Sequence, residues 1–224
     1  MITIFFPVIL IFIIAMKGSS RNSKPYTYLA LGDSYTIGEQ VESKDNFPNQ
    51  VVAILNKKGV DFSDPIIVAR TGWTTDELAD AISKAELRTS YDFVTLLIGV
   101  NNQYRGRTVA GYIQELESLL QKAIQFAGND TTRVIVLSIP DWGVTPFAND
   151  RNRQQIAKEI DTFNTANKQV SENYKVHYLD ITPGTKEAGK DTSLLTSDGL
   201  HPSAKEYSRW AERIATIIEN KLPF

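Results

Sequence analysis

The chain has 224 residues, 42% hydrophobic and 22% charged, so it is of single-domain size with enough apolar material for a sizeable core. A formal net charge of -2 leaves no electrostatic footprint for nucleic acid. Two histidines far apart in sequence and no cysteine suggest neither a metal site nor a disulfide.

Residues 1–16 form an apolar run too short to span a bilayer comfortably and about right for a signal-peptide core. Small residues follow at Gly18, Ser19 and Ser20, so residues 1–20 are expected to be a signal peptide cleaved near Ser20, with export to the periplasm or the medium. No Lys or Arg precedes the run and Lys17 follows it, which keeps an uncleaved membrane anchor as the alternative. Residues 21–25 read as a polar linker, and residues 26–224 as one folded domain.

An apolar run from Tyr28 to Leu31 stops abruptly at Gly32-Asp33-Ser34. This is the pattern of a buried strand whose end turns sharply and presents one hydroxyl at the top of a sheet. Phe47, Val51, Ile54 and Leu55 then recur at helical spacing, predicting a helix over 47–58 that Gly59 ends. Residues 65–70, rich in β-branched side chains, form a second short strand, Gly72 lies in the turn after it, and Thr74-Thr75-Asp76-Glu77 opens the next helix with a capping-box pattern.

Residues 93–98 are a continuous apolar strand, as expected of one covered on both faces, ending at Gly99. A helix over 109–126 buries Ile113, Leu116, Leu119, Leu120 and Ala123, and Gly128-Asn129-Asp130 terminates it. Residues 134–137 make the fourth strand and 140–150 a loop. Ile156, Ile160, Phe163 and Val170 mark one face of a long helix, after which 176–179 form the fifth strand. The last helix starts after Pro202 with Ser203-x-x-Glu206, a second capping-box pattern, and buries Tyr207, Trp210, Ile214, Ile217 and Ile218.

Five strands alternating with five helices imply an α/β fold with a parallel sheet covered on both sides, because parallel neighbours need crossover connections. Sites in such folds form beyond the carboxyl ends of the strands. Ser34, Gly72 and Asn101 all follow strand ends directly, which gathers them on one edge.

A serine becomes a nucleophile only with a base to take its proton and a third group to hold that base in the right tautomer. His201 sits in the glycine-containing loop Thr196-Ser197-Asp198-Gly199-Leu200-His201-Pro202, with Asp198 three residues upstream and able to fold back onto the imidazole. Ser34, His201 and Asp198 are therefore the candidate catalytic residues. Asp141 ranks well behind Asp198 because it lacks an adjacent histidine, and His177, within a strand, reads as a packed or partly exposed side chain.

Gly-Asp-Ser near one end and Asp-x-x-His-Pro near the other are the outer motifs of the SGNH (GDSL-type) hydrolase family of esterases and lipases, which this chain resembles over roughly residues 26–218. The intermediate motifs occur in order as Thr71-Gly72-Trp73 and Gly99-Val100-Asn101-Asn102. Two positions depart from the family pattern: Asn102 stands where aspartate is commoner, and Tyr35 where leucine follows the serine.

The resemblance implies a three-layer α/β/α sandwich, flavodoxin-like, around a five-stranded parallel sheet. It implies a serine esterase akin to lysophospholipase, thioesterase and arylesterase members, working without a cofactor. It further implies an oxyanion hole made by the backbone N–H groups of Ser34 and Gly72 and the side-chain amide of Asn101. Carbohydrate O-deacetylation on the same machinery is the alternative, and a catalytically silent binding protein the non-enzymatic one. The expected partners are small-molecule, lipid or acetylated-sugar esters, a lipid substrate bringing transient membrane contact. Trp73, Tyr104 and Trp142, with Arg105 and Phe147, lie just beyond strand ends and are candidates to line a shallow, open substrate site; Asn102 is expected to serve structure.

Overall fold

The structure, a computed structural model, describes residues 24–222. The expected signal peptide and most of the linker lie outside the described residues. Among the described residues no helix is long and apolar enough to cross a membrane.

Strands β1 (Tyr28–Asp33), β2 (Ile66–Arg70), β3 (Phe93–Leu97), β4 (Val134–Leu137) and β5 (His177–Leu179) form one all-parallel sheet in the order β2-β1-β3-β4-β5. β1, β3 and β4 are wholly buried, which explains their unbroken apolar sequences. β2 is an edge strand and leaves Ile66 exposed.

The long helices match the apolar periodicities: α2 (Phe47–Lys57), α3 (Thr75–Lys84), α5 (Val109–Phe126), α6 (Arg153–Asn173) and α8 (Ala204–Glu219). They cover both sides of the sheet. α2 packs on α8, while α5 packs on α3 and α6. Three one-turn helices are additional to the sequence reading, namely α1 (Ser34–Ile37), α4 (Val100–Tyr104) and α7 (Thr182–Lys186).

The capping box at Thr74 forms, with Glu77 Oε2 accepting from the Thr74 N–H at 2.9 Å. The one expected at Ser203 does not. There the Ser203 hydroxyl donates to the Ser193 carbonyl at 2.7 Å, and Glu206 is drawn instead to Trp210 Nε1 at 2.8 Å and Arg209 at 2.9 Å. A buried indole N–H and a guanidinium outcompete the helix end for that carboxylate.

The register fixes where the site lies. Asp33 is level with Arg70 of β2, and Gly32 with Leu97 of β3, so all three strands end together. β1 sits between the other two, and the chain reverses its direction of winding between β1 and β3, the place where parallel sheets open a crevice. Gly32 allows this closeness: a Cβ there would fall 2.5 Å from the Leu97 carbonyl oxygen and 2.1 Å from Thr36 Oγ1.

Candidate active site

Ser34 is the first residue of α1, directly after β1, and is buried. Asp33 caps this helix, its Oδ1 accepting from the Tyr35 N–H at 3.0 Å. Because Ser34 opens a helix, its own N–H has no intrahelical acceptor and is free to point at a ligand.

The loop carrying His201 is pinned at both ends. The Thr196 N–H donates to the His201 carbonyl at 2.8 Å, and the Ser203 N–H to the Leu194 carbonyl at 2.8 Å. Inside it Asp198 Oδ1 accepts from the Leu200 N–H at 2.9 Å, the His201 N–H at 3.0 Å and the Thr196 hydroxyl at 2.7 Å. Its other oxygen, Oδ2, meets His201 Nδ1 at 2.6 Å, and His201 Nε2 lies 3.0 Å from Ser34 Oγ. The three side chains thus form one continuous hydrogen-bonded line.

Burial pulls the Asp198 carboxyl upward, but the hydrogen bonds from the His201 ring, the His201 N–H, Thr196 and Leu200 outweigh it and hold the group at about 2. It is therefore a carboxylate at neutral pH, suited to fix Nδ1 as the protonated ring nitrogen and leave Nε2 to accept from serine.

Gly72 follows β2 with a positive φ of 83°, and the Arg105 guanidinium holds its carbonyl at 2.6 Å. Asn101 sits in α4 after β3, and its Nδ2 donates to the Trp73 carbonyl at 3.0 Å and to Asp33 Oδ2 at 3.3 Å. The neighbouring Asn102 is fully buried; it accepts from the Thr75 N–H at 3.1 Å and donates to the Thr75 hydroxyl at 2.6 Å. It ties α4 to the start of α3, which is the structural role expected of it.

A cavity of about 190 Å³ brings most of the predicted residues together: Ser34, His201, Gly72 and Asn101 at one side, and Tyr35, Val100, Tyr104, Trp142, Phe147 and Leu200 around the rest. Tyr104 and Phe147 remain nearly half exposed, as expected of an open site. Trp142 is buried between them, with ring centroids 5.3 Å from Tyr104 and 6.0 Å from Phe147. Its indole N–H donates to Gln103 Oε1 at 2.7 Å, and Gln103 donates in turn to Glu159 at 2.6 Å. A wider groove of about 930 Å³ between α5 and α6 contains none of these residues.

Two expectations fail here. Trp73 does not line the cavity, because the left-handed turn at Gly72 directs it onto the core as the chain enters the Thr74 cap, and only its carbonyl serves the site. Arg105 also lies outside, its guanidinium held by the Gly72 carbonyl and by Glu77 at 3.1 Å. Asp141 caps a neighbouring turn, accepting from the Gly143 N–H at 2.9 Å, and His177 is a half-buried side chain of β5. Tyr35, Thr71, Val100 and Leu200 also line the cavity, a role the sequence reading did not give them. Tyr35 has a usable signal, since it follows the candidate nucleophile directly, and its ring lies 5.1 Å from that of His201. Among the described residues no cluster of three or more His, Asp and Glu side chains is arranged to hold a metal ion.

The arrangement can activate a hydroxyl and stabilise negative charge on an oxygen beside it. Comparisons with known proteins show the family and the fold. The model of the GDSL-like lipase/acylhydrolase family matches residues 30–209. No curated protein matches in sequence. Among solved structures, the lipase/acylhydrolase from Enterococcus faecalis is 22% identical with a TM-score of 0.68, over 88% of this chain and 97% of that one. TesA is 20% identical with a TM-score of 0.69, over 88% and 99%. Axe2, an acetylxylan esterase from Geobacillus stearothermophilus, is 18% identical with a TM-score of 0.67, over 86% and 94%.

Proposed function

The chain belongs to the GDSL-like lipase/acylhydrolase family and is an ester-hydrolysing enzyme, and from that premise we propose that it cleaves carboxylic esters through an acyl-enzyme on Ser34. The observation that carries this reading is the line from Asp198 Oδ2 to His201 Nδ1 at 2.6 Å and from His201 Nε2 to Ser34 Oγ at 3.0 Å.

In the first half-reaction Ser34 Oγ bonds to the ester carbonyl carbon while its proton passes to His201 Nε2. The carbonyl oxygen becomes an oxyanion and takes hydrogen bonds from the N–H groups of Ser34 and Gly72 and from the Asn101 amide. The carbon–oxygen bond to the alcohol then breaks, and His201 returns the proton to the departing oxygen. Water repeats the sequence on the acyl-enzyme and frees the acid and Ser34. Asp198 stabilises the imidazolium throughout.

The cavity wall supports a reading of the substrate class. Tyr35, Val100, Tyr104, Trp142, Phe147 and Leu200 offer apolar surface, which suits an aryl or acyl group of an arylesterase-like or lysophospholipase-like substrate. The small volume, about 190 Å³, favours a second reading as an O-deacetylase, since an acetyl group asks for little room. Turnover of acetyl, butyryl, octanoyl and lysophospholipid esters beside acetylated xylose oligomers distinguishes them. A preference for apolar esters is expected; hydrolysis confined to acetylated sugars would replace the first reading with the second. The apolar residues 1–16 further support export from the cytoplasm. Cell fractionation tests this, and enzyme found only in the cytosol would refute it.

A further inference from the structure

The reaction above gives Asp33 no role beyond capping α1. A cap needs only a short side chain with an acceptor, and asparagine serves as well as aspartate. Aspartate is the costlier choice at this position. Residue 33 is only 1% exposed, and among the described residues no cationic side chain offsets its burial. Burial accordingly lifts its carboxyl to about 7, against the pull of hydrogen bonds from Tyr35 and Asn101.

The two residue types differ only at the second polar atom of the side chain. Here that atom is Oδ2, and it accepts from Asn101 Nδ2 at 3.3 Å while the Trp73 carbonyl accepts from the same nitrogen at 3.0 Å. With Asp33 ionised, two acceptors on one side of a carboxamide exclude the flipped arrangement, in which Asn101 Oδ1 would face both of them. We infer that Asp33 is a positioning residue: together with the Trp73 carbonyl it fixes the Asn101 carboxamide so that an N–H, and not the carbonyl oxygen, is offered to the oxygen that becomes negative. The inference rests on the oxyanion role proposed for Asn101. The Trp73 contact holds the plane of the amide, and the longer Asp33 contact is the one that an incoming oxygen takes over.

The ionisable groups facing Asp33 are few. Tyr35 of α1, Tyr112 of α5 and Tyr207 of α8 are all held by burial well above the usual phenol range and stay neutral. The Asp198–His201 pair lies across Ser34. An ionisation sensed by Asn101 therefore belongs to Asp33 or to that pair, and substitution separates the two.

Asp33→Asn keeps the size of the side chain and the acceptor for Tyr35, but sets a donor against Asn101. On p-nitrophenyl acetate it should lower kcat roughly 10- to 100-fold with little change in KM, below the ~10²–10³ that losing an oxyanion donor costs. In an Asn101→Ala background the same substitution should change kcat by less than about twofold, since both act through one group. Undiminished kcat in Asp33→Asn, or an equal loss in both backgrounds, overturns the inference.

A wild-type enzyme inactive on every ester tested would instead sink the esterase reading, and the inference is then decided without turnover. In nitrogen-15 spectra the Asn101 side-chain signals, assigned with Asn101→Ala, should shift with pH in the wild type and in His201→Gln, and hold steady in Asp33→Asn. Signals in the wild type that ignore pH refute it.

Discussion

Replacing Asp198 tests the relay most sharply, because asparagine preserves nearly everything except the charge. Oδ1 would still accept from Thr196, Leu200 and His201, so the loop should keep its shape. The amide nitrogen, however, would replace Oδ2 at 2.6 Å from His201 Nδ1 and oppose it with N–H groups. The ring then favours protonation at Nε2, which can no longer accept the Ser34 proton across 3.0 Å. In an equivalent relay this loss is about 10⁴-fold in kcat, or about 5.5 kcal/mol in the barrier. Initial rates with p-nitrophenyl acetate, beside thermal unfolding, give both readouts. Asp198→Asn should be about 10⁴-fold slower with an unchanged melting temperature. Asp198→Ala should be as slow and also less stable by about 1–3 kcal/mol, since three loop donors lose their acceptor. An Asp198→Asn enzyme that keeps a tenth of wild-type turnover would refute the reasoning.

Gly32→Ala should destabilise the fold by about 1–3 kcal/mol in urea, because a methyl group would press on the Leu97 carbonyl and Thr36. Gly72→Ala meets no close atom but must hold φ near 83°, so its stability loss should be only about 1 kcal/mol while kcat falls further as the N–H shifts. Trp142→Ala should widen the cavity and move preference toward longer or bulkier esters, at about 3–5 kcal/mol of stability. Asp33 holds a proton up to about pH 7 when folded and releases it near about 4 when unfolded, so its contribution to stability is complete below pH 4 and lost as pH rises through 7. Urea midpoints should decline across that window in the wild type and less so in Asp33→Asn.

The sheet and the five long helices were legible because each carries an apolar pattern of the right period over enough residues. The edge strand β2 was found through its β-branched residues even though it is half exposed. The one-turn helices α1, α4 and α7 were not, since four or five residues cannot display a helical period. The failed capping box at Ser203 has the same cause at another scale: the motif spells a local contact, but Glu206 found a stronger partner one turn on, at Trp210. Ser34, Asp198 and His201 were readable from short motifs and simple elimination among two histidines. The contact between Asp33 and Asn101 spans 68 positions and leaves no local trace, so only the register of β1 beside β3 discloses it.

Covalent labelling of Ser34 tests the central claim most directly. After exposure to an alkyl phosphonate bearing a good leaving group, peptide mapping by mass spectrometry should find one adduct, on Ser34, with Ser34→Ala unlabelled and His201→Gln labelled far more slowly. An adduct on another residue, or labelling of Ser34→Ala at the wild-type rate, would contradict it.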